Sequence, residues 1–320
     1  MKWLGRSLLV VLWIASIDFV FGLGALLGQF DPSRAEGSIT RAVKVFGAFG
    51  MNYEICGGGD PLQCGFRDAS GREEVDCSAY LGERSAVLMT FGQSNSANAG
   101  RDRYIPLGDV ANFNVFDGKC YRAEDPLLGP DAQGGSVWGV LGDKLIADGH
   151  YDNVLVLPFG IGGSSLSQWQ QDGVLYPLLQ HSLDAINTAG IEPSHILWHQ
   201  GESDAGQGTS EEAYFEMFEA LVTELREHGY KAPVYPAVAT YCLFTYIEPE
   251  PGYEERREVV RAAQLRLPEI DGVEPGPDTD LIQGERYRHD SCHFSARGMQ
   301  AHADAWLEAL VTPHNQLSEI

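Results

Sequence analysis

From Ser85 onward the chain alternates short apolar runs with longer amphipathic segments, and this alternation restricts the fold more than any other feature of the sequence. The runs are "AVLMTF" (86–91), "FNVF" (113–116), "NVLVLPF" (153–159), "HILW" (195–198) and "PVYPAVATY" (233–241). Between them the apolar spacing changes to the three-and-four step of a helix, over roughly 137–148, 176–189, 210–227 and 254–267, with a last helix over 295–311. The helix over 210–227 opens on a capping box, Thr209 with Glu212, and carries Tyr214, Phe218, Leu221 and Leu225 on one face. The last helix starts at Ser295 and buries Met299, Ala303, Trp306 and Leu310. Strands that are apolar throughout, rather than at every second residue, are covered on both faces. Five of them joined by helical crossovers predict a doubly wound three-layer α/β/α sandwich around a five-stranded parallel sheet.

The N-terminal part reads differently. Lys2 and Arg6 precede "SLLVVLWIASI" (7–17), the basic-then-apolar order of a secretory signal. The low-charge stretch runs on to Phe30, broken only by Asp18, so an uncleaved anchor of about 20 residues also fits. The expected organisation is therefore a signal peptide or N-terminal membrane anchor over 1–30, a Cys-containing extension over 31–84, and an enzyme domain over 85–320. The expected location is exported: secreted, periplasmic, or anchored and facing outward. Six cysteines, at 56, 64, 77, 120, 242 and 292, none in CxxC spacing, agree with an oxidising compartment. The pairs expected are Cys242–Cys292, Cys56–Cys64 and Cys77–Cys120. A net charge of −23 repels phosphate backbones and argues against nucleic acid as a partner.

Four polar stretches stand at or just after strand ends, or in the final loop: "GQSNS" with Ser94, "PFGIGGSSLSQW" with Gly162 and Gly163, "WHQGESDA" with Gln200, Gly201, Glu202 and Ser203, and "HDSCHFS" with Asp290 and His293. Familiar motifs fail at each. Gly160 and Gly162 begin a GxGxxG, but Ser165 stands at the third glycine and no acid follows near Leu179 or Gln180. His195 and His199 are four apart without the HExxH glutamate, and GQSNS is not GxSxG. No metal or organic cofactor is expected. Joint occurrence is what carries chemistry. A serine needs a base to take its proton, and the base needs an orienting acid. Parallel strands share one carboxyl edge, so Ser94, His293 and Asp290 can meet across about 200 residues of sequence. The glycine turn and "QGES" then add N–H groups and a side-chain amide for an oxyanion.

The order GQSN, GGSSxxxW, WHQGES and DxxH before a helix resembles the SGNH hydrolases. More narrowly it resembles their sialate O-acetylesterase (SASA) and acetylxylan esterase branch, carbohydrate esterase family 6, over about 85–311. The resemblance implies a flavodoxin-like fold, Ser94 as nucleophile, His293 as general base, Asp290 as its partner, and the N–H groups of Ser94 and Gly163 in the oxyanion hole. The general pattern has GxND in the third block. Here Gly201-Glu202-Ser203-Asp204 lacks that asparagine, so Gln200 is the expected amide donor. Glu202 is either a second candidate partner for His293 or a brace for the Gly162–Ser165 turn. Gln168 and Trp169, with Ser164 and Ser165, suit a hydroxyl-rich substrate with one aromatic face to stack on, or else the polar residues merely cap the helix after the strand. The implied reaction is removal of O-acetyl groups from sialic acid or an acetylated polysaccharide through an acetyl-enzyme. A lipase or general carboxylesterase, a sugar acetyltransferase and a non-catalytic carbohydrate-binding protein are the alternatives.

Overall fold

The computed structural model describes residues 59–243 and 251–312. The signal or anchor over 1–30, the extension up to residue 58, and Cys56 lie outside the described residues. Seven strands form one sheet: β1 (Glu74–Val75), β2 (Ser85–Gly92), β3 (Val110–Asn114), β4 (Lys119–Arg122), β5 (Asn153–Pro158), β6 (His195–His199) and β7 (Val234–Pro236), in the order β1-β4-β3-β5-β2-β6-β7. The contiguous run β3-β5-β2-β6-β7 is parallel throughout and contains the five strands read from the sequence. The expectation of a purely parallel five-stranded sheet is corrected at one edge, where β4 pairs antiparallel to β3 and β1 antiparallel to β4.

Among the described residues six α-helices cover the sheet: α1 (Val137–Ala147), α2 (Tyr176–Thr188), α3 (Glu202–Gln207), α4 (Glu211–Glu227), α5 (Tyr253–Arg266) and α6 (Ala296–Val311). Side chains alternate across a strand, and β2 shows the result. Val87, Met89 and Phe91 pack with the buried faces of α2, α4 and α5. Ala86 and Leu88 point the other way, into a second core with Val137, Trp138 and Leu141 of α1 and Ala303 and Trp306 of α6. Three layers follow directly. The start of α4 differs by one residue from its expected capping box: Ser210 is the N-cap, its side chain accepting from the Ala213 N–H, while the Thr209 hydroxyl donates to Asp204 Oδ1 at 2.7 Å.

Register decides where the loops emerge. Thr90 pairs with Pro158, Gly92 with His199, and Trp198 with Pro236. These four of the five parallel strands therefore end within about two residues of one level, and the segments starting at Gln93, Phe159, Gln200 and Ala237 leave the same edge. Gly92 is required at this exit. Its φ is 127°, and a Cβ there would lie 2.2 Å from the His199 carbonyl oxygen. Two of the expected disulfides are present, Cys77–Cys120 and Cys242–Cys292. Cys77–Cys120 joins the turn after β1 to β4.

Candidate active site

Ser94 lies two residues beyond β2, in a tight turn in which Ser96 N–H donates to the Gln93 carbonyl and Ala97 N–H to that of Ser94. It is buried but reaches the surface, at 8% exposure. Its neighbours anchor it. Gln93 Oε1 accepts from the N–H groups of Gly201 (3.3 Å) and Ser203 (3.1 Å). Asn95 Nδ2 donates to Glu202 Oε1 at 2.8 Å and to the Cys292 carbonyl at 3.4 Å. One residue before the serine is thus fastened to the third polar stretch, and one residue after it to both the third and the fourth.

The second stretch closes over the serine from the β5 side. Ile161 N–H donates to the Gly92 carbonyl. A Cβ placed on Gly162 would stand 3.6 Å from Ser94 Cβ and 3.3 Å from Asp131 Oδ2. Gly163 is exposed and takes φ 72°, a left-handed turn open to glycine at no steric cost. Asp131 was not singled out in the sequence, where it is one acid in the loop "LGPDAQGG". In the fold its Oδ1 accepts the Gly162 N–H at 2.9 Å. Burial pushes its pKa up to about 6, partly offset by that hydrogen bond and by His293 nearby.

The fourth stretch is a hairpin leading into α6. His289 N–H donates to the His293 carbonyl at 3.0 Å, Arg288 and Phe294 form a bridge, and Ser291 turns the chain with φ 63°. Asp290 Oδ1 accepts the backbone N–H of Cys292 (2.9 Å) and of His293 (2.6 Å), an aspartate turn. Asp290 Oδ2 lies 2.7 Å from His293 Nδ1. Because the carboxylate only accepts, Nδ1 carries the proton in this contact. Partial burial alone would raise the Asp290 pKa. The hydrogen bonds from the His293 ring and the two N–H groups outweigh it and hold the carboxyl well below the usual carboxylate range. Buried Arg288 supports the loop, its guanidinium donating to the carbonyls of Cys292, Thr279 and Ile282.

Three residues sit elsewhere than the sequence suggested. Gln200 is fully buried. Its Nε2 is engaged by Asp204 Oδ2 and the Ser164 carbonyl, with Gln93 Oε1 at 3.3 Å, and its Oε1 accepts from the Tyr214 hydroxyl. It braces the site from beneath and is not an open oxyanion donor. Trp169 is also fully buried, its ring packed among Phe91, Phe159 and Trp198 and its Nε1–H donating to Ser164 Oγ at 3.0 Å. It offers no face to a substrate. Gln168 Oε1 accepts the Ser165 N–H at 2.8 Å, so it caps the short turn over Leu166–Trp169. Glu202 bonds Asn95, whereas Asp290 bonds His293. Burial raises the Glu202 pKa to about 7, opposed chiefly by the Asn95 amide. Ser203 is placed by its N–H on Gln93.

An α/β/α sandwich carrying these stretches in this order on one edge is that of a carboxylic ester hydrolase. The chain belongs to the family described as carbohydrate esterase, sialic acid-specific acetylesterase, whose model matches residues 85–311. The family resemblance read from the four motifs is borne out. A probable carbohydrate esterase of Arabidopsis thaliana is 26% identical over 204 residues, covering 57% of this chain and 75% of that protein. The X-ray structure of an Arabidopsis thaliana protein aligns with TM-score 0.53 at 20% identity, over 70% of this chain and 96% of that one. A variant acetyl xylan esterase of Geobacillus stearothermophilus aligns at TM-score 0.46 and 15% identity, over 71% of this chain and 94% of that chain.

Proposed function

We propose that this carbohydrate esterase removes O-acetyl groups from sugars through an acetyl-enzyme formed on Ser94. The observation that carries the reading is the Asn95 bridge. The residue after Ser94 bonds the carbonyl of the residue before His293, which ties the serine turn to the His293–Asp290 loop. Ser94 Oγ attacks the acetyl carbonyl carbon while His293 Nε2 takes its proton. The oxyanion faces the N–H groups of Ser94 and Gly163. Asp290 holds the imidazole in the Nδ1–H tautomer and stabilises the imidazolium. Collapse expels the sugar oxygen, protonated by His293. Water, deprotonated by the same histidine, then releases acetate and restores Ser94.

Membership of the carbohydrate esterase family supports an acetylated sugar as substrate over a lipid. Two disulfides among the described residues support an exported location. The test is acetate release from acetylated sialic acid and acetylated xylo-oligosaccharides, beside acetyl, butyryl and octanoyl esters of one leaving group. Acetyl is expected to be the best acyl group; a maximum at octanoyl would make the enzyme a lipase. Ser94→Ala is expected to lose on the order of 10⁶ in kcat with an unchanged circular dichroism spectrum. Full activity in the folded variant would overturn the nucleophile.

A further inference from the structure

We propose that His289, Asp290 and His293 form a binding site for a zinc-type divalent cation, and that its occupation switches the esterase off. One donor atom from each of the three side chains lies within 4.8 Å of the others. Two imidazoles and one carboxylate are the three-ligand set that zinc takes when a fourth position stays with water. Calcium and magnesium want six or more oxygens and find one carboxylate here. Zinc bonds of about 2.0–2.2 Å place tetrahedral donors roughly 3.3–3.6 Å apart. Closing the cluster therefore needs at most about 1.2–1.5 Å of approach, and the His293 Nδ1–Asp290 Oδ2 pair, now 2.7 Å apart, opens by roughly 0.6–0.9 Å if both atoms are ligands. His289 is exposed and can supply the approach by side-chain rotation.

The backbone beneath needs no rearrangement. His289 and His293 face each other across the hairpin, their rings 6.1 Å apart between centroids and 29° from parallel. Their main chains are already joined by the His289 N–H to His293 carbonyl bond, and Cys292 fixes the loop to Cys242. Asp131 stands near His293 and adds acidic character to the surroundings.

Loss of activity follows from which residues are used, and this part rests on the acetylesterase reading. A cation held by His293 through Nδ1 takes the place of the proton that Asp290 now accepts; the neutral ring then carries its one proton on Nε2, where it fills the lone pair that would take the Ser94 proton. Held through Nε2, it occupies the lone pair that takes the Ser94 proton. Either way the base is lost until the cation leaves.

Zinc chloride is titrated into the full chain by calorimetry, and cobalt(II) is added separately as a probe whose visible absorption reports tetrahedral coordination. Initial rates on an acetyl ester are recorded with zinc and after EDTA. One equivalent of zinc, a tetrahedral cobalt spectrum and inhibition reversed by EDTA are expected. His289→Ala and His289→Gln are expected to keep the zinc-free rate and to weaken both binding and inhibition by about tenfold or more. Absence of stoichiometric zinc binding, or binding and inhibition unchanged in both His289 variants, overturns the proposal. His289-dependent binding to a chain with no esterase activity would uphold the cation site and overturn the acetylesterase reading instead.

Discussion

At the scale of single residues, two carboxylates stand near His293. Asp290 bonds the ring and orients it; replacing the acid by an amide invites the wrong tautomer. We expect Asp290→Asn to lower kcat by roughly 10³–10⁴ with KM little changed, as in serine hydrolases where the same change leaves geometry intact. A loss under tenfold in steady-state kinetics would shift the orienting role to another acid. Asp131 acts on the other wall. Its hydrogen bond holds the Gly162 N–H, one residue before the proposed oxyanion donor. We expect Asp131→Ala to strand that N–H and reduce kcat at least about tenfold. Asp131→Asn keeps an acceptor and should recover most of the loss, because an orphaned buried donor costs about 1–3 kcal/mol and a replaced acceptor far less. Equal kcat in the two variants would contradict this. The positions of Ser94 after a strand and of Asp290 and His293 in the final loop were legible because strand ends are sequence properties; their proposed roles came from their joint occurrence and the family resemblance. The fate of Gln200 and Trp169 was not legible, since their exposure depends on what Asp204, Ser164 and Phe159 do in three dimensions. Asp131 was missed because no periodicity marks an acid in a glycine-rich loop.

At the scale of elements, the loop before α6 is held at three places: Arg288 beneath it, Asn95 beside it, and the Cys242–Cys292 bridge. The bridge closes a segment of 50 residues, for which the chain-entropy view gives about 4 kcal/mol. We expect Cys242→Ser with Cys292→Ser to lower the urea midpoint and to cut kcat more than it raises KM, because Asp290 and His293 flank Cys292. A variant with native kcat would mean that Arg288 and Asn95 suffice. The helix start at Ser210 offers a control far from the chemistry. Ser210→Ala should cost about 1 kcal/mol in urea unfolding and leave kcat alone. The strands and helices of the parallel region were readable from apolar runs and helical spacing. β1 and β4 were not, since two and four residues are too few for any period; they pair at the sheet edge beside the Cys77–Cys120 bridge.

At the scale of the whole molecule, buried titratable groups shape stability. Glu202, pushed up to about 7 from 4.5, keeps its proton in the folded state at pH values where the unfolded chain has released it. Stability from this group is complete below about pH 4.5 and is lost as pH rises through about 7. Asp125, raised by burial to about 7, acts with the same sign. His195, lowered by burial to about 4, acts oppositely, losing stability as pH falls below 6.5. We expect Glu202→Gln to remove its share, so that the urea midpoint of the variant gains on the wild type between pH 5 and pH 8. Parallel curves would contradict the assignment. The sheet has a further consequence at its margins. β1 offers two residues and β7 three, the last of them Pro236, which has no N–H to donate. Among the described residues, neither border can template a strand from another molecule over any useful length, which guards the apolar parallel centre against runaway intermolecular pairing.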